Sequence, residues 1–343
     1  MNDPVPMSIS LPSPRSVGIP GLSFRTFRGE SDFATMVAIM NLCNRVDQAE
    51  YNESAEDVER VFSHLTNCDP RSDMLFAEVD GAAAAYSRVF WKDEYVGPRL
   101  YIHLGFVVPS WRRRGLGRLV LRWNQDRLSE IGATHPTETE RILHAWTTDA
   151  NPGEIALFES EGYAVARTML GMTRSVSRSL EPCSLPEGLM ILPAAASQYR
   201  SVWDAWEEGY RDHWGYAPRE EKDFVAWTQS RRFQPELWKI AWDGERVAGM
   251  VLNYVDERRN DWVGIKRGYT QDIFVLPPWR RRGLARKLLT ESIRMFADMG
   301  MEETLLAVDS ENPYRANDLY ESLGYRPYRK YYVYRKPLVL RRS

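Results

Sequence analysis

The chain has 343 residues, of which 43% are hydrophobic and 27% are charged, and its formal net charge is -2. That length suits two domains of about 150 to 180 residues, each large enough for its own core. The near-neutral charge argues against a general nucleic-acid-binding protein, whose domains are usually strongly basic. No run approaches the roughly 18 apolar residues of a membrane-spanning helix, so neither nucleic acid nor membrane is an expected partner.

The first half of the chain, residues 21–180, predicts one mixed α/β domain. Apolar alternation indicates strands, helical periodicity indicates helices, and the Asp80-Gly81 dipeptide marks a hairpin turn. In chain order we expect a strand at 22–27, helices at 31–46 and 53–65, hairpin strands at 75–79 and 82–90, a strand at 100–108, a helix after Gly117, a strand at 143–147, a helix at 151–160 and a strand at 163–172.

A linker is expected at residues 181–188, where EPCSLPEG places two prolines and a glycine in eight residues. Residues 189–343 then repeat the order of the first half as a second domain. The expected elements are a strand at 189–192, helices at 197–209 and 219–230, hairpin strands at 238–242 and 247–255, a strand at 269–275, a helix at 284–299, a strand at 304–308, a helix at 312–323 and a strand at 325–334.

The cysteines and the N-terminal residues indicate the compartment. Cys43, Cys68 and Cys183 are widely spaced and form no CxxC pair. This spacing provides neither a zinc site nor a disulfide framework, so we expect no metal and a cytoplasmic location. Residues 1–20 are rich in Pro and Ser and lack the apolar core of a signal peptide, and we expect them to be flexible.

Two short motifs occur twice in the same order. Ile273–Ala285 reads IFVLPPWRRRGLA and Gly105–Gly117 reads GFVVPSWRRRGLG, with nine of thirteen positions identical at an offset of 168. Further along each half, LYESLGY at 319–325 matches LFESEGY at 157–163 in five of seven positions. Two ordered matches indicate that one fold has been duplicated.

The repeated arginine loop joins a strand to the start of a helix. Gly283 lets the backbone approach a ligand closely, and the first amides of the following helix lack intrahelical partners. These amides lie at the positive end of the helix dipole, beside Arg280–Arg282, and form an anion site suited to phosphate. The spacing matches neither the GxxxxGKS/T of a P-loop nor GxGxxG, which argues against nucleotide hydrolysis and dinucleotide binding.

These motifs resemble the GNAT superfamily of acyl-CoA-dependent N-acyltransferases. The resemblance covers nearly the whole chain and implies an α/β fold of two tandem domains. Each domain would have a central mixed β-sheet flanked by helices, with two strands that splay apart at the coenzyme site. The resemblance also implies acetyl-CoA as co-substrate, with its pyrophosphate on the loop amides and its pantetheine between the splayed strands.

The resemblance assigns coenzyme binding to the loop, to the strand before it and to one asparagine. In the second half the matching residues are Phe274, Val275, Leu276, Arg280, Arg281, Arg282, Gly283, Leu284, Ala285, Arg286, Lys287 and Asn312. In the first half they are Val107, Val108, Arg112, Arg113, Arg114, Gly115, Leu116, Gly117 and Arg118. An amide of the 274–275 segment would also stabilise the oxyanion that develops during acyl transfer.

The family reaction is direct attack of an amine on the thioester, which needs a base for the ammonium and an acid for the thiolate. Tyr320 falls at the family's acid position, whereas the first half has Phe158, which cannot donate a proton. The second half is therefore expected to be catalytic and the first non-catalytic. Asp272, whose first-half counterpart is Leu104, and His213 are candidate bases, and each also fits a structural role.

The predicted function is acetyl-CoA-dependent N-acetylation of a primary amine on a small molecule. The tandem arrangement resembles mycothiol synthase-like members, which acetylate a cysteinyl amine. Those members carry a glutamate eight residues before the central-strand proline, where this chain has Tyr269. A non-catalytic acyl-CoA-binding or sensing module is the alternative from another class. Because a tandem pair supplies a dimer-like contact within one chain, a monomer or a homodimer is expected.

Overall fold

The computed structural model describes residues 11–13, 17–95, 97–136 and 138–340. The flexibility predicted for residues 1–20 therefore lies mostly outside the described ranges. The chain forms two compact units. Unit 1 comprises the residues up to Asp93, residues 97–164 and the residues from Tyr334 onward, whereas unit 2 comprises Glu94, Tyr95 and residues 165–333. In the part that is described, every helix is too short or too polar to cross a bilayer.

Unit 1 is built on a mixed β-sheet. Its strands before residue 164 are β1 (Leu22–Arg25), β2 (Met74–Val79), β3 (Ala82–Asp93), β4 (Arg99–Val107) and β5 (Arg141–Thr148). Its helices are α1 (Phe33–Val46), α2 (Ala55–Ser63), α3 (Pro70–Asp73), α4 (Leu116–Ala133) and α5 (Pro152–Ser160). The strand order is β1-β2-β3-β4-β5, and only the β4–β5 pair among these is parallel.

Unit 2 repeats this plan. Its strands are β6 (Ala164–Ser175), β7 (Met190–Leu192), β8 (Lys239–Asp243), β9 (Arg246–Val255), β10 (Arg267–Val275), β11 (Glu303–Asp309) and β12 (Arg326–Pro337), the last of which passes into unit 1 at Tyr334. Its helices are α6 (Tyr199–Tyr210), α7 (Glu221–Thr228), α8 (Glu257–Val263), α9 (Leu284–Asp298) and α10 (Ala316–Ser322). The order β7-β8-β9-β10-β11-β6 is antiparallel except between β10 and β11.

The predicted mixed α/β fold is confirmed. The borders of the two compact units differ from the borders of the two halves of the sequence. β6 follows α5 in the chain but pairs with β11, from Ser175 opposite Glu303 to Met169 opposite Asp309. Unit 2 thus begins before residues 181–188, where the sequence suggested a linker. At the other end of the chain, the amide of Leu338 donates to the carbonyl of Arg141 (2.9 Å) within unit 1. The backbone pairing of the last strand of each half decides these borders.

Local hydrogen bonds explain two differences from the predicted helices. Helix α8 was not predicted; the Asp256 side chain accepts from the amide of Arg259 (3.0 Å), and Gly264 ends the helix at φ 72°. Helix α10 was predicted from Asn312 but begins at Ala316. The side chain of Asn312 accepts from the amide of Tyr314 (2.9 Å) in a local turn, and Arg315 has a left-handed φ of 57°.

The cores lie between the sheets and their helices. In unit 1, Leu116 and Val120 of α4 pack with Leu75, and Met36 of α1 packs in a separate cluster with Phe76, so the two helices cover opposite faces. In unit 2 one large cluster joins residues of α6, β9, β10, α9 and α10. The helices therefore hold β4 and β10 rigidly from both sides.

The central strands splay apart from their parallel neighbours in both units. The pairing of β10 with β11 runs from Arg267 to Thr270 and then stops, although β10 continues to Val275. In unit 1 the pairing of β4 with β5 likewise stops at Ile102, although β4 continues to Val107. The backbone groups along the splayed edge of each central strand are therefore available for another partner.

A β-bulge in unit 2 sets the direction of Asp272. Thr270 lies opposite Asn253 and Asp272 lies opposite Leu252, so Gln271 is an extra residue in β10. The bulge reverses the alternation of faces. Gly268, before it, faces Phe296 of α9, whereas Phe274, after it, lies against Gly209 of α6. Asp272 is on the same face as Phe274 and therefore points toward α6. The β3–β4 register has no such shift.

Candidate active site

Unit 2 contains a cavity of about 670 Å³ at the splay of β10 and β11. Residues 271–275 of β10 form one wall and residues 307–309 of β11 form the other. The arginine loop, α10 and the last turn of α6 complete the lining. The cavity thus joins the predicted phosphate site, the splayed strand and both candidate bases.

The arginine loop is held by backbone and side-chain hydrogen bonds. Pro277–Trp279 form one turn of 3-10 helix, and the Trp279 indole donates to Asp243 (3.0 Å). The Nε–H of Arg280 donates to the carbonyl of Val275 (2.8 Å), so this side chain folds back and braces the loop against the end of β10. Arg281 then has a φ of 61°, an uncommon left-handed conformation for a residue with a side chain.

The loop ends at the N-terminus of α9, where backbone amides face the cavity. Gly283 precedes the helix at φ 82°, and no side chain caps it among the described residues. The first amides of α9 therefore lack intrahelical partners and lie at the positive end of the helix dipole. Arg281 and Arg286 also line the cavity, so formal positive charge supplements the amides. This arrangement suits a pyrophosphate.

Asp272 lies on the α6 side of the cavity, near two donor side chains that favour its charged form. These are the indole of Trp206 and the hydroxyl of Tyr210. Desolvation raises the pKa of Asp272, while these two donors and the nearby charge of Arg219 lower it. The net shift is upward, which suits a carboxylate that accepts a proton near neutral pH.

His213 lies beside the same tyrosine. Its ring centroid is 4.4 Å from that of Tyr210, and both residues line the cavity. Desolvation lowers the pKa of His213, so the imidazole is neutral at pH 7 and able to accept a proton. Further out, the guanidinium of Arg219 lies over the ring of Trp206, 3.3 Å from its centroid.

Tyr320 reaches the cavity from α10. It is 5% exposed, and its ring lies 6.1 Å from that of Tyr325. Burial raises the pKa of Tyr320, so the hydroxyl keeps its proton at neutral pH and is able to donate it. The counterpart in unit 1, Phe158, is 4% exposed and packs against the rings of His103 and Tyr163.

Most of the residues predicted for the second half line this one cavity. They are His213, Asp272, Phe274, Val275, Arg280, Arg281, Gly283, Leu284, Ala285, Arg286, Asn312 and Tyr320. Leu276, Arg282 and Lys287 are not among the lining residues; Leu276 is buried in the core and Lys287 pairs with Glu291 (2.7 Å). Within the described part of the chain, no group of His, Cys, Asp and Glu side chains could hold a metal ion.

The lining residues that the sequence did not predict include Tyr210, Gln271 and Tyr314. Tyr210 lies four residues after Trp206, and this spacing places both side chains on one face of the helix. Their rings stack with centroids 4.6 Å apart. Gln271 is the bulged residue, and bulges leave no reliable mark in a single sequence. The guanidinium carbon of Arg280 lies 4.5 Å from the centroid of the Tyr314 ring, and this contact depends on the tertiary fold.

The arginine loop of unit 1 has nearly the same backbone. Arg113 has a φ of 62° and Gly115 a φ of 86°. The Nε–H of Arg112 donates to the carbonyl of Val107 (2.9 Å), as Arg280 does to Val275 in unit 2. The two loops are therefore geometrically equivalent, as the repeated sequence predicts.

Relatives of known sequence cover nearly the whole chain. A mycothiol acetyltransferase of Geodermatophilus obscurus is 27% identical over 305 residues, which cover 86% of this chain and 92% of that protein. A mycothiol acetyltransferase of Kocuria rhizophila is 27% identical over 296 residues, which cover 82% of this chain and 91% of that protein.

Solved structures show the same fold. A GCN5-related N-acetyltransferase from Sphaerobacter thermophilus has a TM-score of 0.70 and 25% identity, covering 93% of this chain and 97% of that one. A tandem GNAT protein from the clavulanic acid biosynthesis pathway has a TM-score of 0.65 and 13% identity, covering 94% of this chain and all of the other. The model of the acetyltransferase (GNAT) family matches twice, at residues 36–163 and 198–325. The chain therefore belongs to the acetyltransferase (GNAT) family and is an acyltransferase.

Proposed function

We propose that unit 2 transfers the acetyl group of acetyl-CoA to the primary amine of a small-molecule acceptor by direct attack. The observation that carries this proposal is the meeting of three features in one cavity. These are the amides after Gly283, the carboxylate of Asp272 and the hydroxyl of Tyr320. An anion site, a proton acceptor and a proton donor are the groups that acyl transfer from a coenzyme thioester to an amine requires.

The coenzyme is expected to lie across the loop and the splayed strand. The amides of residues 281–286 would bind the pyrophosphate, with Arg281 and Arg286 adding charge. The unpaired backbone of β10 offers hydrogen bonds to the pantetheine amides, in the way a neighbouring strand would. The acetyl end would then reach the Phe274–Leu276 segment, where a strand amide stabilises the developing oxyanion.

The proton transfers divide between two side chains. Asp272 removes a proton from the acceptor's ammonium, and the neutral amine attacks the carbonyl carbon of the thioester. When the tetrahedral intermediate collapses, the carbon–sulfur bond breaks and the thiolate takes the proton of Tyr320. The tyrosinate then regains a proton from the acceptor nitrogen, which leaves a neutral amide. His213 is the alternative base, because its neutral imidazole lines the same cavity. No covalent enzyme intermediate forms.

The named relatives suggest a specific acceptor. Two mycothiol acetyltransferases align over most of both chains, which favours a cysteinyl amine on a sugar-like carrier as a second candidate. Tyr269 occupies the position of that subfamily's glutamate. It is buried, and its hydroxyl donates to Asn260 (2.9 Å) rather than facing the cavity. Any base in this chain must therefore come from another position, which is consistent with Asp272.

A panel of amines tests the proposal. The full chain is incubated with acetyl-CoA and with amino sugars, polyamines, amino-acid amides and cysteinyl glycosides, and released coenzyme thiol and acetylated product are both measured. We expect turnover on at least one primary amine, with one acetyl group transferred per thiol released. Coenzyme binding without turnover on any amine would contradict the proposal and favour an acyl-CoA-binding module.

A further inference from the structure

We infer that the arginine loop of unit 1 is a coenzyme site filled by the chain's own side chains, so that each chain binds a single coenzyme A. This inference rests on the proposed function of unit 2, because it takes that unit as the working site. It differs from the expectation that residues 107–118 also bind the coenzyme.

The backbone does not distinguish the two loops. The left-handed residues Arg113 and Arg281 differ by 1° in φ (62° against 61°), and Gly115 and Gly283 differ by 4° (86° against 82°). Both central strands lose their parallel partner at the equivalent residue, and both loops are braced by the same arginine-to-carbonyl hydrogen bond. A difference in binding must therefore come from what surrounds the loops.

The first difference is at the bracing arginine. In unit 1 the two terminal nitrogens of Arg112 donate to both carboxylate oxygens of Asp47, at 2.5 and 2.8 Å. This bidentate pair fixes the end of α1 against the loop. In unit 2 the guanidinium of Arg280 instead lies over Tyr314 and lines the cavity. The carboxylate of Asp47 therefore lies against the first loop, whereas the equivalent arginine of the second loop faces an open cavity.

The second difference is at the start of the late helix. Ala316 lines the cavity of unit 2, and the offset that aligns Phe158 with Tyr320 aligns Glu154 with Ala316. The Glu154 carboxylate accepts from the side-chain amide of Asn151 (3.3 Å), and the charges of Asp47 and Arg112 act on it. Desolvation raises the pKa of Glu154 to about 7. Unit 1 thus has the carboxyl group of Glu154 at the position where unit 2 has the methyl group of Ala316.

The third difference is in the surroundings of the loop glycine. A Cβ built on Gly115 would lie 3.1 Å from Cγ1 of Val17, whereas nothing lies within 4 Å of a Cβ built on Gly283. Val17 packs with the apolar cluster that contains Leu116. An apolar side chain therefore lies against the glycine of the first loop, whereas the space beside the glycine of the second loop is open.

The cations after the loop are also neutralised in unit 1. Glu161 pairs with Arg118 (2.8 Å) and with Arg122 (3.0 Å), whereas its counterpart in unit 2 is Leu323. Among the residues that the structure describes, Arg286, the counterpart of Arg118, hydrogen-bonds to the hydroxyl of Ser322 and has no carboxylate partner. A polyanionic ligand would therefore meet carboxylate-paired cations after the first loop and a less neutralised arginine after the second. A cavity of 440 Å³ in unit 1 lies along α4, beside Trp123 and Arg127.

Calorimetric titration of coenzyme A into the full chain tests the inference. We expect close to one equivalent bound, with any affinity of the first loop at least about 100-fold weaker, since a ligand would have to displace an ion pair and a carboxyl group. Arg281→Glu should weaken binding at least about tenfold, while the matched reversal Arg113→Glu, equally exposed and at the same φ, should leave it unchanged.

Native mass spectrometry of the unmodified chain counts bound coenzymes independently of the variants. Two equivalents at similar affinity would overturn the inference and leave the proposed function standing, as would a loss of affinity in Arg113→Glu of the size expected for Arg281→Glu. Absence of any coenzyme binding would contradict both the inference and the proposed function.

Discussion

Tyr210 and Asp272 line the same cavity, and the tyrosine hydroxyl favours the charged form of the carboxylate. The ring of Tyr210 stacks on Trp206, 4.6 Å away at an interplanar angle of 14°, and the Trp206 indole acts on the pKa of Asp272 in the same direction. Gly209, between them, leaves room for Phe274. The last turn of α6 is thus adjacent both to the proposed base, Asp272, and to Phe274 on the wall of the cavity.

Tyr210→Phe is predicted to shift the pH dependence of the reaction. Asp272 must be deprotonated to act as the base, so kcat/KM rises as pH increases through its pKa. The Tyr210 hydroxyl stabilises the charged carboxylate and lowers that pKa, so its removal raises the pKa. The acidic limb of the profile should therefore move to higher pH, by up to about one unit, since a polar partner of a charged group contributes about 1.5 kcal/mol.

Tyr199→Phe is the matched control for this shift. Tyr199 is also on α6, but its ring packs against Phe233 and Trp238, away from Asp272. We expect its acidic limb to coincide with that of the unmodified enzyme. A Tyr210→Phe profile that falls in height without moving along the pH axis would mean that Tyr210 has only a packing role.

Two conservative variants separate the candidate bases. Asp272→Asn keeps the shape of the side chain but cannot take a proton, and we expect kcat to fall about 10²- to 10⁴-fold. His213→Asn should change kcat only a few-fold, because His213 lies in the loop after α6, whereas Asp272 lies on the central strand at the splay. Steady-state rates with saturating acetyl-CoA measure both. A larger loss in His213→Asn would transfer the role of base to the imidazole.

The sequence was sufficient for the fold because the repeat supplied an internal comparison. The Asp-Gly turns and the strand-to-helix loop predicted the hairpins and the central junction, and the offset of 168 aligned Phe106 with Phe274 and Arg112 with Arg280. Most residues of the second arginine loop then lie where its motif predicts, around one cavity. Short motifs at strand-to-helix junctions are local, so their geometry follows from neighbouring residues.

The remaining features depend on contacts that are distant in the sequence. The bulge at Gln271 arises from the pairing of β10 with β9 and cannot be read from either strand alone. The pairing of β6 with β11 joins residues more than a hundred positions apart, so the border of unit 2 was not visible in the linker composition. Asp47 and Glu154 meet Arg112 only in the folded unit, and a single sequence gives no sign of that cluster.

Gly268→Ala is predicted to destabilise unit 2. Gly268 lies in β10 between β9 and β11, and an added Cβ would be 2.3 Å from the ring of Phe296. Phe296 is fully buried in α9 and has no room to withdraw. Overpacking of this kind lowers the free energy of unfolding by about 1–3 kcal/mol, which urea unfolding would detect as a lower midpoint.

Gly153→Ala is the control for this effect. Gly153 lies in the first turn of α5, and the nearest atom to an added Cβ is the side-chain oxygen of Asn151 at 3.8 Å. Alanine is favoured over glycine in a helix by about 0.5–1 kcal/mol, so the midpoint should stay level or rise. An equal loss of stability in both variants would show that the contact with Phe296 is not the cause.

The turnover of Tyr320→Phe tests whether unit 2 performs acetyl transfer with Tyr320 as the acid. This change gives unit 2 the side chain that unit 1 already carries at Phe158. We predict that kcat falls about 10²- to 10⁴-fold while the Kd for coenzyme A stays within about twofold, because the loop around Gly283 is untouched. An unchanged kcat would contradict the account.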